Sequence, residues 1–304
     1  MYEDVLQKNT KDGNFTVKGL GCLSEHPFAE YEIVVHPQNQ LAGPLGVHLV
    51  DVGFLWYQQR IEPSLTEHQD PEAAKLMPAY KPEGSEKTKD IVLPEKYAIL
   101  CAGYTSENRK PTGKWLVEMC TYLESMGIAT VFLGSSKPMN IQGNYTADFL
   151  VEEMEYCVKN LSAINLVGKT DLVDAVTIIS GSQMVVGLDN GLLHLASLTD
   201  VPIIFGYTIQ DIEMREPRRR GNTFLANIFI KKETLSCIGC QKNVRYRDYD
   251  SRFCPYSDNK CCEILCGSAE VWKEAVQHAD NWNKKNRQTN GLVEWGARVL
   301  DLGI

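Results

Sequence analysis

No apolar run in the 304-residue chain approaches the ~18 residues that a membrane-crossing helix needs, so a transmembrane anchor is not expected. The first residues, MYEDVLQKNTKDGN, are polar and partly acidic, which speaks against a secretory signal peptide. Positive charge is not in excess either. Lys and Arg number 31 against 39 Asp and Glu, a net charge of −8, so no global field draws the chain to nucleic acid or anionic lipid. Internal repeats and low-complexity tracts are missing. With 43% hydrophobic and 23% charged residues, the composition is that of a globular protein and not of a disordered, collagen-like or coiled-coil chain. Two domains in a cytoplasmic protein are the expectation, at ~100–200 residues per domain.

Cysteine, in contrast, is plentiful at ten residues. Cys22, Cys101, Cys120 and Cys157 are scattered, three of them in apolar stretches where cysteine behaves as a small buried hydrophobe. Cys237, Cys240, Cys254, Cys261, Cys262 and Cys266 are clustered within segment 237–266. In an intracellular setting, clustered thiols point to a metal site before a disulfide framework. Cys237 and Cys240 have two residues between them, and Cys254 and Cys261 follow with six between them. Two such pairs can enclose one tetrahedral Zn or Fe ion, with Cys262 or Cys266 as substitutes for Cys261. Free or buried thiols are the bland alternative.

From Tyr97 onward, short apolar runs alternate with helical patterns. YAILCAGY, IATVFLG, INLVG, QMVVGLD, VPIIFGY and FLANIFI read as strands. Between them, KWLVEMCTYLESMG places Trp115, Met119 and Leu123 at helical spacing with Gly127 as its stop. TADFLVEEMEYCVKNL and TDLVDAVTIISGS read as two more helices, and Asp171 lies in the first turn of the second. Continuous apolar strands separated by helices predict βαβ units: a parallel, Rossmann-like α/β sheet of about five or six strands. Residues 237–266 interrupt the pattern before a helical return through AEVWKEAVQHADNW. Residues 62–91 are polar and proline-containing and read as a linker.

The segment VVGLDNGLLHLASLTDVPIIFGYT reads as strand, acidic corner, helix and strand. Asp189 ends the strand, and Asn190 and Gly191 open the helix, whose free N–H groups would face the carboxyl edge of the sheet. A phosphate fits such a place, and glycine lets it approach the backbone. Simple helix capping by Asp189 and Asn190 is the equal alternative. His194 follows among leucines, as a ligand contact or a core histidine.

The spacing D-x-G-x-x-H-L-A at Asp189, Gly191, His194, Leu195 and Ala196, followed by Pro202 and the Phe205–Thr208 turn, resembles the bacterial heptosyltransferase family, glycosyltransferase family 9. ILCAGYTSENRKPTGKW, VFLGSS and NLVGKTDLVDAVTIISGSQMVVG resemble other segments of the family in the same order, so the likeness covers roughly residues 95–280. The resemblance implies a GT-B architecture of two Rossmann-like lobes, α/β in class. It implies a reduced acceptor-side lobe and linker at 1–92 and a donor-binding lobe at 93–281 carrying the cysteine-rich metal loop. A C-terminal helix is expected at 282–304.

By the same resemblance, Gly103 belongs to the first strand–glycine–loop of the donor lobe. The diphosphate of a nucleotide-sugar, ADP-heptose by expectation, lies at Asn190 and Gly191, with His194 nearby and Asp189 toward the transferred sugar. Lys110 or Lys114 neutralises phosphate charge, and both stay open. Ser135 and Ser136 fall at the ribose, and Gly168 near the base. A cation and a helix terminus suit a leaving diphosphate that gains negative charge, so no metal motif is needed for the chemistry. Autotransporter heptosyltransferases resemble the cysteine segment with an iron-bound finger.

The family's G-D-x-x-x-x-x-P loop has no match in MYEDVLQKNTKDGNFTVKGLG, and the first lobe is short, about 95 residues where ~150 are usual. His36 and Asp51, at strand ends, are the candidates for the base that takes the acceptor proton. The expected reaction is inverting sugar transfer to an acceptor hydroxyl on a glycan, a protein or a modified nucleobase, in a homo-oligomer. The alternative is a catalytically degenerate nucleotide-sugar-binding or interaction protein with a metal-stapled loop. The run MREPRRR at 214–220 reads as solvated surface or a polyanion contact.

Overall fold

A computed structural model describes residues 91–135, 148–210, 212–217, 224–240, 254, 258–289 and 298–301. His36, Asp51, Ser136 and nearly all of the expected first lobe therefore lie outside the described residues.

Among the described residues, seven strands form one parallel sheet: β1 (Tyr97–Leu100), β3 (Ala129–Phe132), β5 (Ala163–Asn165), β6 (Val185–Leu188), β7 (Ile203–Gly206), β8 (Leu225–Phe229) and β9 (Arg298–Asp301). Their order is β5-β3-β1-β6-β7-β8-β9. The chain builds outward from β1 to one edge, then returns to β6 and builds to the other. This is the doubly wound Rossmann order, and it opens a crevice at the carboxyl ends of β1 and β6, where the direction reverses. β1, β3, β6 and β7 are buried throughout, as apolar strands covered on both faces must be. A separate antiparallel ribbon pairs β2 (Gly103–Tyr104) with β4 (Asp148–Phe149).

The helices are α1 (Gly113–Ser125), α2 (Val151–Asn160), α3 (Leu172–Gly181), α4 (Gly191–Ala196), α5 (Ile212–Arg215), α6 (Lys260–Gly267) and α7 (Ala269–Thr289). One apolar layer joins α1, α2, α6 and α7 to the sheet, centred on the buried Trp115–Trp272 pair with ring centroids 4.9 Å apart. The other layer joins α3 and α4 through Ile178, Ile179, Leu193 and Ala196. Helix α1 buries Trp115, Met119 and Leu123 as their spacing predicts, and the chain turns at Gly127 with φ +71°. Asp171 is the N-cap of α3 and exchanges hydrogen bonds with Asp174, a capping box.

Two expectations differ from this arrangement. The boundary expected at 281/282 falls inside α7, which is continuous to Thr289. Within the segment expected as a C-terminal helix, Arg298–Asp301 instead pairs in parallel with β8 and covers an edge that would otherwise present unpaired backbone groups. Among the described residues, no helix is long and apolar enough to cross a membrane.

Candidate functional site

The carboxyl ends of β1 and β6 are joined by Asn190. Its side-chain oxygen accepts from Leu192 N at 2.9 Å, capping α4, and its amide nitrogen donates to Gly103 O at 2.6 Å across the crevice. The capping and site readings of this corner thus describe the same side chain. A Cβ added at Gly191 would meet nothing within 4 Å, so the backbone here borders open space.

Asp189 sits immediately behind, with its side chain only 2% exposed. Arg215 donates to Asp189 Oδ1 from Nη2 at 2.8 Å and from Nε at 3.3 Å. Arg109 Nη1 donates to Oδ2 at 3.4 Å, and His194 Nε2 lies 3.5 Å from Oδ1. Burial opposes ionisation of this carboxyl, but Arg215, His194 and Arg109 together outweigh it and hold Asp189 well below the usual carboxylate range.

Arg109 is itself held. Arg109 ends a 3-10 turn, Glu107–Arg109, and its Nε and Nη2 donate to Ser106 Oγ at 3.0 Å and Thr105 Oγ1 at 3.2 Å. Thr208 Oγ1, just past β7, donates to Asn108 O at 2.9 Å and ties that turn to the sheet. Arg215 is followed by Glu216, which accepts from Asn227 Nδ2 at 2.6 Å, while Asn227 accepts from the buried Tyr207 hydroxyl at 2.9 Å. His194 packs edge-on against Phe205, ring centroids 5.5 Å apart.

Three glycines mark the neighbouring strand ends. A Cβ at Gly103 or Gly134 would come within 2.7 Å or 2.6 Å of the Phe149 ring. Gly168 has φ +73°, where a side chain is strained, and donates from its N–H to Gly134 O at 2.9 Å. Ser135 is exposed beside them. Each of the two lysines pairs with a glutamate. Lys110 lies over the Tyr104 ring, pairs with Glu107 at 3.5 Å, and lines a cleft of about 500 Å³ with Glu152, Glu153 and Glu263. Lys114 is 82% exposed and pairs with Glu118 at 3.6 Å.

Arg109 and Arg215 were not among the expected site residues. Arg109 lies inside the RKPTGKW segment, where the lysines drew attention, and Arg215 lies inside MREPRRR, which reads as surface. Only Asp189, distant in sequence from both, shows why Arg215 is buried and Arg109 half-buried.

In the cysteine segment, Cys237 and Cys240 are part-buried, and Cys254, Cys261, Cys262 and Cys266 are buried. Burial pushes the Cys240 thiol up to about 12, and the charges of Cys261, Cys237 and Cys254 push the same way, so these four thiols lie within electrostatic reach of one another. Cys262 Sγ is turned toward Glu107 O at 3.9 Å, and Cys266 toward Thr112. Among the described residues, no three His, Cys, Asp or Glu side chains are arranged to hold a metal ion.

The family model for glycosyltransferase family 9 (heptosyltransferase) matches residues 48–235. A lipooligosaccharide heptosyltransferase 2 from Haemophilus influenzae is 33% identical over 102 residues, which are 32% of this chain and 28% of that protein. This chain thus spans little more than a quarter of that relative. Among solved structures, a family 9 glycosyl transferase from Veillonella parvula aligns at 16% identity with a TM-score of 0.44, over 72% of this chain and 60% of that one. The dodecameric iron-containing heptosyltransferase TibC, solved with ADP-D-beta-D-heptose, aligns at 17% identity with a TM-score of 0.46, over 66% and 49%.

Proposed function

Because the chain belongs to glycosyltransferase family 9, we propose that it transfers a sugar, a heptose, from a nucleoside-diphosphate donor to an acceptor hydroxyl with inversion. The observation that carries this reading is the Asp189–Asn190–Gly191 corner at the switch point of the sheet, bonded across to Gly103. A nucleotide-sugar would lie along the carboxyl edge, with its diphosphate at Asn190 and Gly191, its base toward Gly168, and its ribose near Ser135. ADP is the proposed nucleotide.

In the transfer, the bond from the anomeric carbon to the distal phosphate oxygen breaks, and its electron pair stays on that oxygen. The acceptor oxygen bonds to the opposite face of the carbon, and its proton passes to a base, for which His36 and Asp51 are the proposed candidates. Charge builds on the leaving diphosphate, so fixed cations and N–H groups at the corner lower the barrier most. A second Rossmann-like lobe, giving a GT-B enzyme, would supply the acceptor side. The acceptor hydroxyl belongs to a glycan, a protein or a modified nucleobase.

The four thiols of Cys237, Cys240, Cys254 and Cys261 fit one tetrahedral Zn or Fe ion by donor chemistry. Burial and the neighbouring thiols push the Cys237 and Cys240 thiols up, and a bound cation would favour their ionised form. Such an ion would supply a cross-link within segment 237–266 and take no part in the transfer.

A panel of ADP-, UDP- and GDP-sugars tests the proposal by thermal shift and by release of the nucleoside diphosphate. An ADP-sugar should both stabilise the protein and be turned over slowly by hydrolysis. If no nucleotide-sugar does either, the donor-binding reading fails.

A further inference from the structure

The last torsion of an aspartate side chain is soft, so the groups around the carboxylate decide where each oxygen points. At Asp189 the two oxygens are treated unequally. Oδ1 receives Arg215 Nη2 at 2.8 Å and Nε at 3.3 Å, with His194 Nε2 at 3.5 Å. Among the described residues, Oδ2 receives only Arg109 Nη1, at 3.4 Å. A carboxylate oxygen has two acceptor positions, so Oδ2 keeps room for a further donor while Oδ1 is pinned.

The cation that pins Oδ1 stands beside a chain of polar groups that the donor reading does not use. Arg215 ends the single turn of α5, which Glu216 N closes by donating to Ile212 O at 2.7 Å. Glu216 Oε1 accepts from Asn227 Nδ2 at 2.6 Å, and Asn227 Oδ1 accepts from the Tyr207 hydroxyl at 2.9 Å. Asn227 lies on β8 and Tyr207 just past β7, both buried, so the chain ties the end of α5 to two strands of the sheet. Burial pushes the Tyr207 hydroxyl up, and the charges of Glu216 and Asp189 push the same way, so it stays protonated and donates. A hydroxyl donor on one side and a carboxylate acceptor on the other fix which way the Asn227 amide faces. A buried ion pair is weak evidence for stability, since apolar packing serves as well. Two N–H donors of a rigid guanidinium on one oxygen supply direction instead.

Resting on the donor reading above, with Asp189 toward the transferred sugar, we propose that Arg215 is a positioning residue for sugar recognition. Braced through Glu216, Asn227 and Tyr207, it pins Oδ1 of Asp189 and leaves Oδ2 aimed at a hydroxyl of that sugar. Arg215 itself touches no ligand. It sets how well the sugar is held, and the nucleotide is held by other groups along the carboxyl edge.

The test uses the full chain and calorimetric titration with ADP and with ADP-heptose, and reads the ratio of the two affinities. Wild type should bind both. If it binds neither, it is the donor reading that fails, and the inference with it. Arg215→Lys keeps the charge and loses the rigid two-point hold. It should lose about tenfold in affinity for ADP-heptose and keep its affinity for ADP within about twofold, which also shows that the site is folded. Tyr207→Phe removes one hydroxyl at the far end of the brace and should shift the ratio the same way by about threefold. Adding Arg215→Lys to Asp189→Asn should cost no more than Asp189→Asn alone, because Arg215 acts through that carboxylate. If a variant at 189 or 215 does not fold, the ratio in Tyr207→Phe decides, since that change deletes a single oxygen. An Arg215→Lys or Tyr207→Phe variant with the wild-type ratio overturns the inference and leaves the donor reading standing. Equal loss of both ligands, additive losses from Arg215 and Asp189, or a wild type that binds ADP and not ADP-heptose overturns it as well.

Discussion

Asp189 is the residue on which the site turns, because one carboxylate holds Arg109, Arg215 and His194 in register. Replacing it by asparagine keeps the shape and removes the charge that Arg215 and Arg109 pair with. Such a break costs about 3–5 kcal/mol, to be read from urea melts at neutral pH. The pH dependence has a defined sign. The folded pKa of Asp189 lies below its unfolded value of about 4, so its contribution is complete above that pH and is lost as the pH falls toward the folded value. The gap between wild type and Asp189→Asn should therefore be constant from pH 7 to 5 and narrow below about 4. A gap that stays unchanged down to pH 3 would contradict this. His194 and Asp189 were legible from the D-x-G-x-x-H spacing, since both lie within one strand–helix corner. The partners that determine what Asp189 can touch were not, because they come from two other segments.

At the scale of elements, helix ends and glycine turns set where the crevice opens. Asp171 and Asp174 close α3 at its N-terminus, and Asp171→Ala should cost about 1 kcal/mol of stability by chemical denaturation. β2 and β4 bring the Phe149 ring against Gly103 and Gly134. A methyl at Gly103 would collide with that ring, so Gly103→Ala should lower the melting temperature. Phe149→Leu in the same chain should recover part of the loss, and two independent, additive losses would show that the ring is not the obstacle. The strands and helices themselves were readable from runs such as YAIL and from the Trp115, Met119 and Leu123 spacing. Ends were less so. RVLD at 298–301 forms a strand only because β8 offers an open edge, and no local pattern announces that pairing.

For the whole molecule, the cysteine segment makes the clearest prediction. Protein purified without added metal should contain about one Zn or Fe per chain by elemental analysis. Removing it with a chelator should lower the melting temperature by several degrees, and Cys237→Ser should do the same. A folded, metal-free protein whose melting is indifferent to chelator would show that the thiols serve only as packing. The sheet has two packed layers, and Cys261, Cys262 and Cys266 belong to one of them, so this segment is joined to the same core as the crevice.

The sequence by itself determined the α/β class, the alternation of elements and the acidic corner at Asp189, Asn190 and Gly191. Each depends on residues close together in the chain: periodicity, caps, and a motif contained in one turn. Only the tertiary structure decided which side chains share the carboxylate of Asp189, and that Lys110 and Lys114 pair with Glu107 and Glu118. Those are contacts between segments 26 to 80 residues apart for Asp189. A buried charge takes whatever partner the packing of the sheet brings within reach.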